Sequence, residues 1–148
     1  MLHPCNPPLL PILVAEDLDD DFDTVVEAVR HANVPNPLVR VRTLAEALDA
    51  VTEGGEHTFV FVLLDVNLPD GPGADLVRAV RNEARFRTTP VVVFSTSDNP
   101  QDLREMYGSG INAYHVKALR HRENLDMLSS IFAYWLHSVC IDVPDRTP

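Results

Sequence analysis

The stretch FVFVLLD, residues 59–65, decides the fold of this chain. Phe59 to Leu64 is an unbroken apolar run of strand length, and it ends in a single acid, Asp65. Strands that are buried on both faces lack polar alternation, and such strands occur at the centre of parallel sheets. We therefore predict a central strand that carries an aspartate at its carboxyl end.

On both sides of this stretch, apolar runs of strand length alternate with segments of helical periodicity. The predicted strands are Ile12–Ala15, Leu38–Arg42, Phe59–Leu64, Pro90–Phe94 and Ala113–Val116. The first predicted helix begins at the N-cap candidates Asp19–Asp21 and is closed by Pro35 and Pro37. The second covers Leu44–Val51 and ends before Gly54 and Gly55, and the third follows the loop Asn67–Gly73 and contains Leu76, Val77 and Val80. The last two predicted helices cover Gln101–Tyr107 and Arg122–Val139. This alternation predicts βαβ crossovers, and therefore a five-stranded parallel α/β sheet covered by helices on both faces.

Length and composition limit what the chain can be. At 148 residues it is long enough for one well-filled core but short for two. A formal net charge of -10 argues against binding nucleic acid through its phosphates. No stretch approaches the roughly 20 apolar residues of a membrane-spanning helix, and the opening MLHPCNPPLL is not typical of a secretory signal. We expect no membrane association and a cytoplasmic location.

The chain is expected to divide into three segments. These are a Pro-rich N-terminal arm at residues 1–10, one domain at residues 11–139, and a short tail at residues 140–148 with no output domain. Cys5 and Cys140 are too few for a disulfide framework and lack zinc-ligand spacing. We expect reduced thiols, with an intermolecular bridge as the alternative.

Polar residues follow four of the predicted strands. Glu16 and Asp17 follow the first strand, Asp65 ends the third, Ser95 ends the fourth and Lys117 ends the fifth. Ligands of doubly wound sheets bind outside the carboxyl ends of the strands, so we expect these side chains to meet at one edge. The acidic run after Leu18 is interpreted instead as a solvated surface.

This set of residues favours phosphoryl chemistry with a divalent metal. Three neighbouring carboxylates repel one another unless a cation compensates, and oxygen ligands without His or Cys favour Mg²⁺. An aspartate so placed can act as a nucleophile toward a phosphoryl donor, while Lys117 neutralises charge on the transferring oxygens. The Ser95 hydroxyl could then donate a hydrogen bond to a phosphoryl oxygen, a contact made only after transfer.

The sequence resembles the response-regulator receiver family of two-component signalling over roughly residues 10–137. The motifs that carry this resemblance are VAED at 14–17, LLDVNLPDG at 63–71, PVVVFSTS at 90–97 and AYHVK at 113–117. The resemblance implies the flavodoxin-like, CheY-like strand order 2-1-3-4-5 with five helices. It also implies a phosphoacceptor that at most catalyses its own phosphotransfer and dephosphorylation, rather than an enzyme.

The resemblance further implies a role for each matching residue. It makes Asp65 the phosphoacceptor, Glu16 and Asp17 the acidic pair, and Lys117 the family lysine. The Asn67 backbone carbonyl is then a Mg²⁺ ligand, Ser95 the switch hydroxyl and Tyr114 the aromatic switch residue. On the residues alone, the favoured interpretation of Tyr114 is a half-buried packing residue with its hydroxyl in water, and only the resemblance assigns it a switch role.

Finer details resemble the small regulators that serve bacterial phytochrome histidine kinases. The details are NLPDGPGADLVRAVRN, PVVVFSTSDN, a Tyr-Gly-Ser-Gly-Ile-Asn-Ala-Tyr segment and FAYW in the last helix. The expected partner is therefore a histidine kinase of the phytochrome type. One departure is Ala118, which stands where the family usually has proline, often in a cis bond. A cis bond before alanine is costly, so the loop after Lys117 is expected to take another path.

The last predicted helix carries more apolar surface than one core contact needs. Its predicted core face consists of Leu125, Leu128, Phe132, Trp135, Leu136 and Val139. Met127, Ile131 and Tyr134 widen the apolar arc to roughly 200°. We expect a homodimer through Met127, Ile131, Tyr134 and Trp135, with coverage by the arm or the tail as the alternative.

Two other functions remain possible on the sequence. An aspartyl-phosphate hydrolase also uses a strand-end aspartate with Mg²⁺, but Asn67 stands where its second acid belongs, and a cap insertion is missing. A receiver-like module that binds partners without phosphorylation is suggested by Ala118. Labelling of Asp65 distinguishes this module from a phosphorylated switch.

Overall fold

The computed structural model describes residues 9–52, 55 and 57–143. Most of the predicted N-terminal arm, Gly54 and the tail after residue 143 lie outside the described residues. The unit that the structure describes therefore covers nearly all of the predicted domain at residues 11–139.

Five parallel strands form the central sheet. They are β1 (Ile12–Ala15), β2 (Leu38–Val41), β3 (Phe61–Leu64), β4 (Val91–Ser95) and β5 (Ala113–Val116). The order is β2-β1-β3-β4-β5, with every neighbouring pair parallel. This is the predicted doubly wound topology, and β3 lies at its centre with all four residues buried.

Five helices cover the sheet. They are α1 (Asp19–His31), α2 (Leu44–Val51), α3 (Gly73–Asn82), α4 (Pro100–Ser109) and α5 (His121–Ala133). One apolar cluster joins the sheet to α2, α3 and α4, and a second joins it to α1 and α5. Within the described residues, no helix combines the length and apolar character needed to cross a lipid bilayer.

The bounds of α1 correct two sequence predictions. Its N-cap is Leu18, which makes no side-chain capping bond, so the N-cap prediction for Asp19–Asp21 is wrong. These acids lie inside the first turn, where their negative charges interact favourably with the positive end of the helix dipole. The helix also ends before the prolines, because Ala32 caps it and Asn33 turns the chain in the left-handed region with φ 54°.

The loop between β3 and α3 is more ordered than the sequence predicted. It contains a short antiparallel hairpin in which Asn67–Leu68 pairs with Gly71–Pro72. Asp70 in its turn accepts hydrogen bonds from the backbone N–H groups of Leu44 and Ala45, at 2.6 and 3.0 Å. These bonds cap α2 from another segment and lower the pKa of Asp70.

Helix α5 ends earlier than predicted, and a π-helix at Tyr134–Ser138 continues it. Its predicted core face is confirmed, because Leu125, Leu128 and Phe132 are buried and Trp135 packs against the same cluster. A 3₁₀ turn at Ala84–Phe86 is a further element that periodicity did not predict.

The predicted dimer surface is only partly exposed. Ile131 is 5% exposed and belongs to the core, whereas Tyr134 is 57% exposed. The alternative of coverage by the chain termini also has support, because Leu10 and Ile141 are buried in the same cluster as α5. Of the four predicted dimer residues, Ile131 therefore has little surface left to offer a partner.

Cys140 is disulfide-bonded in the structure. The prediction of a reduced thiol is therefore wrong for this residue, and Cys5 lies outside the described residues.

Candidate functional site

The carboxyl ends of β1, β3, β4 and β5 bring the predicted polar residues to one edge of the sheet. The strand register pairs Ala15 with Leu64, so the next residues, Glu16 and Asp65, lie side by side just beyond the carboxyl ends of β1 and β3. Ser95 pairs with Val116, which brings Lys117 to that edge too. The sequence prediction that these side chains meet is confirmed for Glu16, Asp65, Ser95 and Lys117.

Lys117 lies at the centre of the site. Its Nζ donates to Glu16 Oε1 at 2.9 Å, to Asp65 Oδ2 at 3.1 Å and to Asp21 Oδ2 at 2.8 Å. The lysine side chain is 4% exposed, so three carboxylates replace the water around its ammonium group. The backbone N–H of Lys117 donates to the Ser95 carbonyl at 2.8 Å, which extends the strand pairing up to the site.

Asp65 is held from both sides. Its Oδ1 accepts a hydrogen bond from the Ser95 hydroxyl at 2.9 Å and from the Asn67 backbone N–H at 3.2 Å. Its Oδ2 faces Lys117. The carboxylate is therefore oriented by one hydroxyl, one amide and one ammonium group before any ligand binds.

Burial and charge act against each other in this site. Burial raises the pKa of Glu16, although the hydrogen bond and charge of Lys117 oppose this effect. Burial alone would lower the pKa of Lys117, but Asp65, Asp21 and Glu16 outweigh it and the pKa is raised. The raised pKa favours the protonated, cationic form of the lysine, and the carboxylates around it are its counter-charges.

The donor set suits a hard divalent cation. Glu16, Asp17 and Asp65 offer only carboxylate oxygens, and two of these residues already surround a cationic group. Among the described residues, no three His, Cys, Asp or Glu side chains form a ready-made metal cluster. Lys117 holds Glu16 and Asp65 in the structure, so a metal ion would have to share or replace that contact.

Two predicted metal ligands stay predictions. Asp17 is half-buried beside Glu16, and its carboxylate makes no hydrogen bond or ion pair with the described residues. Asn67 begins the short hairpin and is exposed, and its N–H rather than its carbonyl contacts Asp65.

A chain of hydrogen bonds leads from Asp65 to Tyr114. The Ser95 hydroxyl donates to Asp65 and accepts from the Ser97 N–H at 3.3 Å. The Ser97 carbonyl in turn accepts from the Tyr114 hydroxyl at 2.8 Å. Tyr114 also packs against the core cluster that includes Met106 of α4. Both interpretations of Tyr114, as a packing residue and as a residue linked to the site, are therefore compatible with its contacts.

The loop after Lys117 follows a path fixed by Asn124. The Asn124 side chain accepts from the Ala118 N–H at 2.6 Å and donates to the Ala118 carbonyl at 3.0 Å. No peptide bond among the described residues is cis, as expected for alanine at this position. Asn124 thus satisfies both backbone polar groups of Ala118, and a proline at residue 118 would lack the N–H that Asn124 accepts from.

Sequence reasoning missed Asp21 as a site residue. The acidic run is predicted to be a solvated surface, which is wrong for Asp21. Asp19 is 70% exposed, as predicted, although its carboxylate pairs with Arg40 and Arg42. A signal was available, because Asp21 precedes the buried Val25 by four residues and so lies on the inner stripe of α1. Asn124 had no such signal, because its role depends on the shape of a loop.

A doubly wound sheet with a strand-end aspartate, a buried lysine and an acidic pair defines the receiver class of signalling protein. Residues 12–129 match the family model for the response regulator receiver domain, and the chain belongs to this family.

Known relatives include regulators of phytochrome signalling. Response regulator Rcp1 of Synechocystis sp. is 28% identical over 140 residues, which are 92% of this chain and 95% of Rcp1. The crystal structure of the phosphorylated cyanobacterial phytochrome response regulator RcpA matches with a TM-score of 0.82 and 28% identity, covering 92% of this chain and 99% of RcpA. The Mn²⁺-bound form of Rcp1 matches with a TM-score of 0.81 and 26% identity, covering 92% of this chain and 99% of that structure.

Proposed function

We propose that this chain is a response regulator that accepts a phosphoryl group on Asp65 from a histidine kinase, with Mg²⁺, and signals through changed protein contacts. One observation carries the proposal: Asp65 ends the central strand with Ser95 Oγ at 2.9 Å from one carboxylate oxygen and Lys117 Nζ at 3.1 Å from the other. Asp65 would be both acceptor and nucleophile, so the chain modifies itself rather than turning over a separate substrate.

The transfer step uses groups that are already in place. An Asp65 oxygen forms a bond to phosphorus, and the bond from phosphorus to the kinase histidine nitrogen breaks, so that the imidazole leaves with the electron pair. Lys117 stabilises negative charge on the transferring oxygens, because its buried ammonium stays protonated. A divalent metal held by Glu16, Asp17, Asp65 and the Asn67 carbonyl would supply further neutralisation of that charge.

Ser95 is the group through which the signal would leave the site. It is 0% exposed, and its hydroxyl donates to the same Asp65 oxygen that accepts from Asn67. A new phosphoryl oxygen would offer this hydroxyl a stronger acceptor, and the bond from the Ser97 N–H to Ser95 would change with it. Ser97 and Tyr114 would carry the change to the surface formed by α4 and β5.

The proposed kinase is of the phytochrome type. This finer proposal is supported by the similarity to Rcp1 and RcpA, the second of which is a phytochrome response regulator.

A cytoplasmic location is part of the proposal, because kinases draw their phosphoryl group from cytoplasmic ATP.

The proposed second partner is another copy of this chain, bound through the exposed end of α5. A groove of about 400 Å³ lies there, lined by His115, Met127, Ser130, Ile131, Tyr134 and Trp135. Because Tyr134 is its most exposed apolar residue, Tyr134→Ser should shift sedimentation toward the monomer mass. Tyr107→Ser, which removes an exposed tyrosine of α4, should leave the mass unchanged. Equal masses for the wild type and Tyr134→Ser would contradict this interface.

The proposed function is tested by measuring intact mass after incubation with acetyl phosphate. The wild type should gain one phosphoryl group in the presence of Mg²⁺ and none after chelation of the metal. Asp65→Asn should gain none, because the amide keeps the shape of the carboxylate and removes the nucleophile. Circular dichroism of Asp65→Asn should match the wild type, which separates loss of the nucleophile from loss of the fold.

Two outcomes would overturn this assignment. An Asp65→Asn variant that is labelled at the wild-type rate would place the phosphoryl group elsewhere. A folded wild type that takes no adduct from acetyl phosphate or from a phosphorylated phytochrome kinase would instead indicate a binding module that acts without phosphorylation.

A further inference from the structure

Asp21 makes the shortest of the three contacts to Lys117, yet the proposed phosphoryl transfer step does not use this residue. Its Oδ2 lies 2.8 Å from Nζ, compared with 2.9 Å for Glu16 and 3.1 Å for Asp65. An ammonium group has three N–H donors, and each of them has a carboxylate acceptor here. Asp21 is therefore a full member of the site by geometry.

The other two partners of Lys117, Glu16 and Asp65, would also bind the metal ion under the proposed function. Glu16 and Asp65 are expected metal ligands, and an oxygen that coordinates a cation is a poorer acceptor for an ammonium group. Asp21 is the only one of the three that lies outside the predicted ligand set. We propose that Asp21 is a positioning residue that keeps Lys117 in place and balances its charge when Glu16 and Asp65 bind the metal ion.

Charge makes this role necessary. The Lys117 side chain is 4% exposed, so water cannot compensate for the counter-charge that it would lose to a metal ion. A divalent cation and an ammonium group that share two carboxylates also repel each other at short range. Asp21 is 34% exposed on its side chain and sits at the rim of the site, where it offers a carboxylate that the metal does not use.

A simpler interpretation is that Asp21 only stabilises the start of α1. Acids in a first helical turn do so without any specific contact. Asp21 differs from its neighbours in this respect, because Asp20 and Asp23 have exposed side chains that pair with no cation among the described residues. Replacement of Asp23 therefore removes one charge from the same helix without touching Lys117.

The test is a calorimetric titration of the full chain with MgCl₂. Asp21→Asn should bind Mg²⁺ about tenfold more weakly than the wild type, because it removes a nearby negative charge and leaves Lys117 tied to the metal ligands. Asp23→Asn should weaken binding by less than about twofold, as expected for an exposed and screened charge. Asp21→Glu keeps the charge and should recover most of the affinity.

A second titration separates positioning from a general charge effect. In a Lys117→Gln background the ammonium group is gone, so the additional change Asp21→Asn should cost clearly less affinity than it does in the wild type. An undiminished cost in this background would overturn the positioning role. Equal affinities for Asp21→Asn and Asp23→Asn would overturn it as well.

This inference rests on the proposed function, but the two can fail separately. A wild type that binds Mg²⁺ and takes the phosphoryl adduct, together with an Asp21→Asn variant that behaves like Asp23→Asn, would reject the role of Asp21 alone. A wild type that neither binds Mg²⁺ nor takes the adduct would reject the proposed function itself.

Discussion

Gly73→Ala should abolish most phosphoryl labelling of Asp65 while destabilising the chain by about 1–3 kcal/mol, the usual cost of overpacking. A Cβ atom at this position would lie 2.6 Å from the Asp65 carbonyl oxygen and 2.6 Å from Leu64 Cδ1. The carbonyl is backbone at the end of the central strand, so it can move away only by moving Asp65. Misplacement of a reacting group by about 1 Å can slow a reaction by about a hundredfold.

The measurement pairs intact-mass labelling with urea unfolding. Gly108→Ala is the matched control, because nothing lies within 4 Å of a Cβ atom there and the residue is inside α4. That variant should label normally and be as stable as the wild type or more so, since alanine favours a helix over glycine. A Gly73→Ala protein that labels at the rate of Gly108→Ala would show that the Asp65 loop tolerates the added methyl group.

The fold could be predicted from sequence because its strongest signals are local. An unbroken apolar run of strand length such as Phe59–Leu64 favours a strand that is buried on both faces of a sheet. Alternation of such strands with helices then favours parallel pairing. Most of the site followed from the same logic, since Ser95 is the last residue of its strand and Glu16, Asp65 and Lys117 each come directly after one. Residues placed by strand ends were therefore within reach of sequence reasoning.

Contacts between side chains on separate elements were not within reach. Helical spacing indicates that Asp21 faces inward, but its contact with Lys117 depends on the angle at which α1 leaves the sheet edge. The hydrogen bonds between Asn124 and Ala118 depend on one loop conformation. The π-helix after Ala133 has no clear periodic signal either, because it adds one residue to a helical turn. These features come from tertiary packing, to which a single sequence gives only indirect access.

Lys117→Met should lower the free energy of unfolding by about 3 kcal/mol at pH 7.5 without Mg²⁺, the typical cost of removing one partner of a buried ion pair. Methionine keeps the length and apolar stem of the side chain, so the main loss is the ammonium group. Glu16 would then be buried beside Asp65 without a counter-charge, and Asp21 would lose its partner as well. Urea unfolding followed by circular dichroism measures the loss.

The pH dependence identifies the cause of that loss. Burial already raises the pKa of Glu16, and removal of Lys117 should raise it further, since the lysine now opposes that shift. A carboxyl group with a raised pKa in the folded state binds more protons when folded, so stability falls as pH rises above the unfolded value near 4.5. The deficit of Lys117→Met should therefore be smaller at pH 5 than at pH 7.5, and added Mg²⁺ should reduce it at the higher pH.

Arg122→Met, which removes a cation that is 82% exposed, should cost less than about 1 kcal/mol at either pH. A Lys117→Met deficit that stays constant between pH 5 and 7.5 would mean that lost packing, rather than unpaired carboxylates, destabilises the variant.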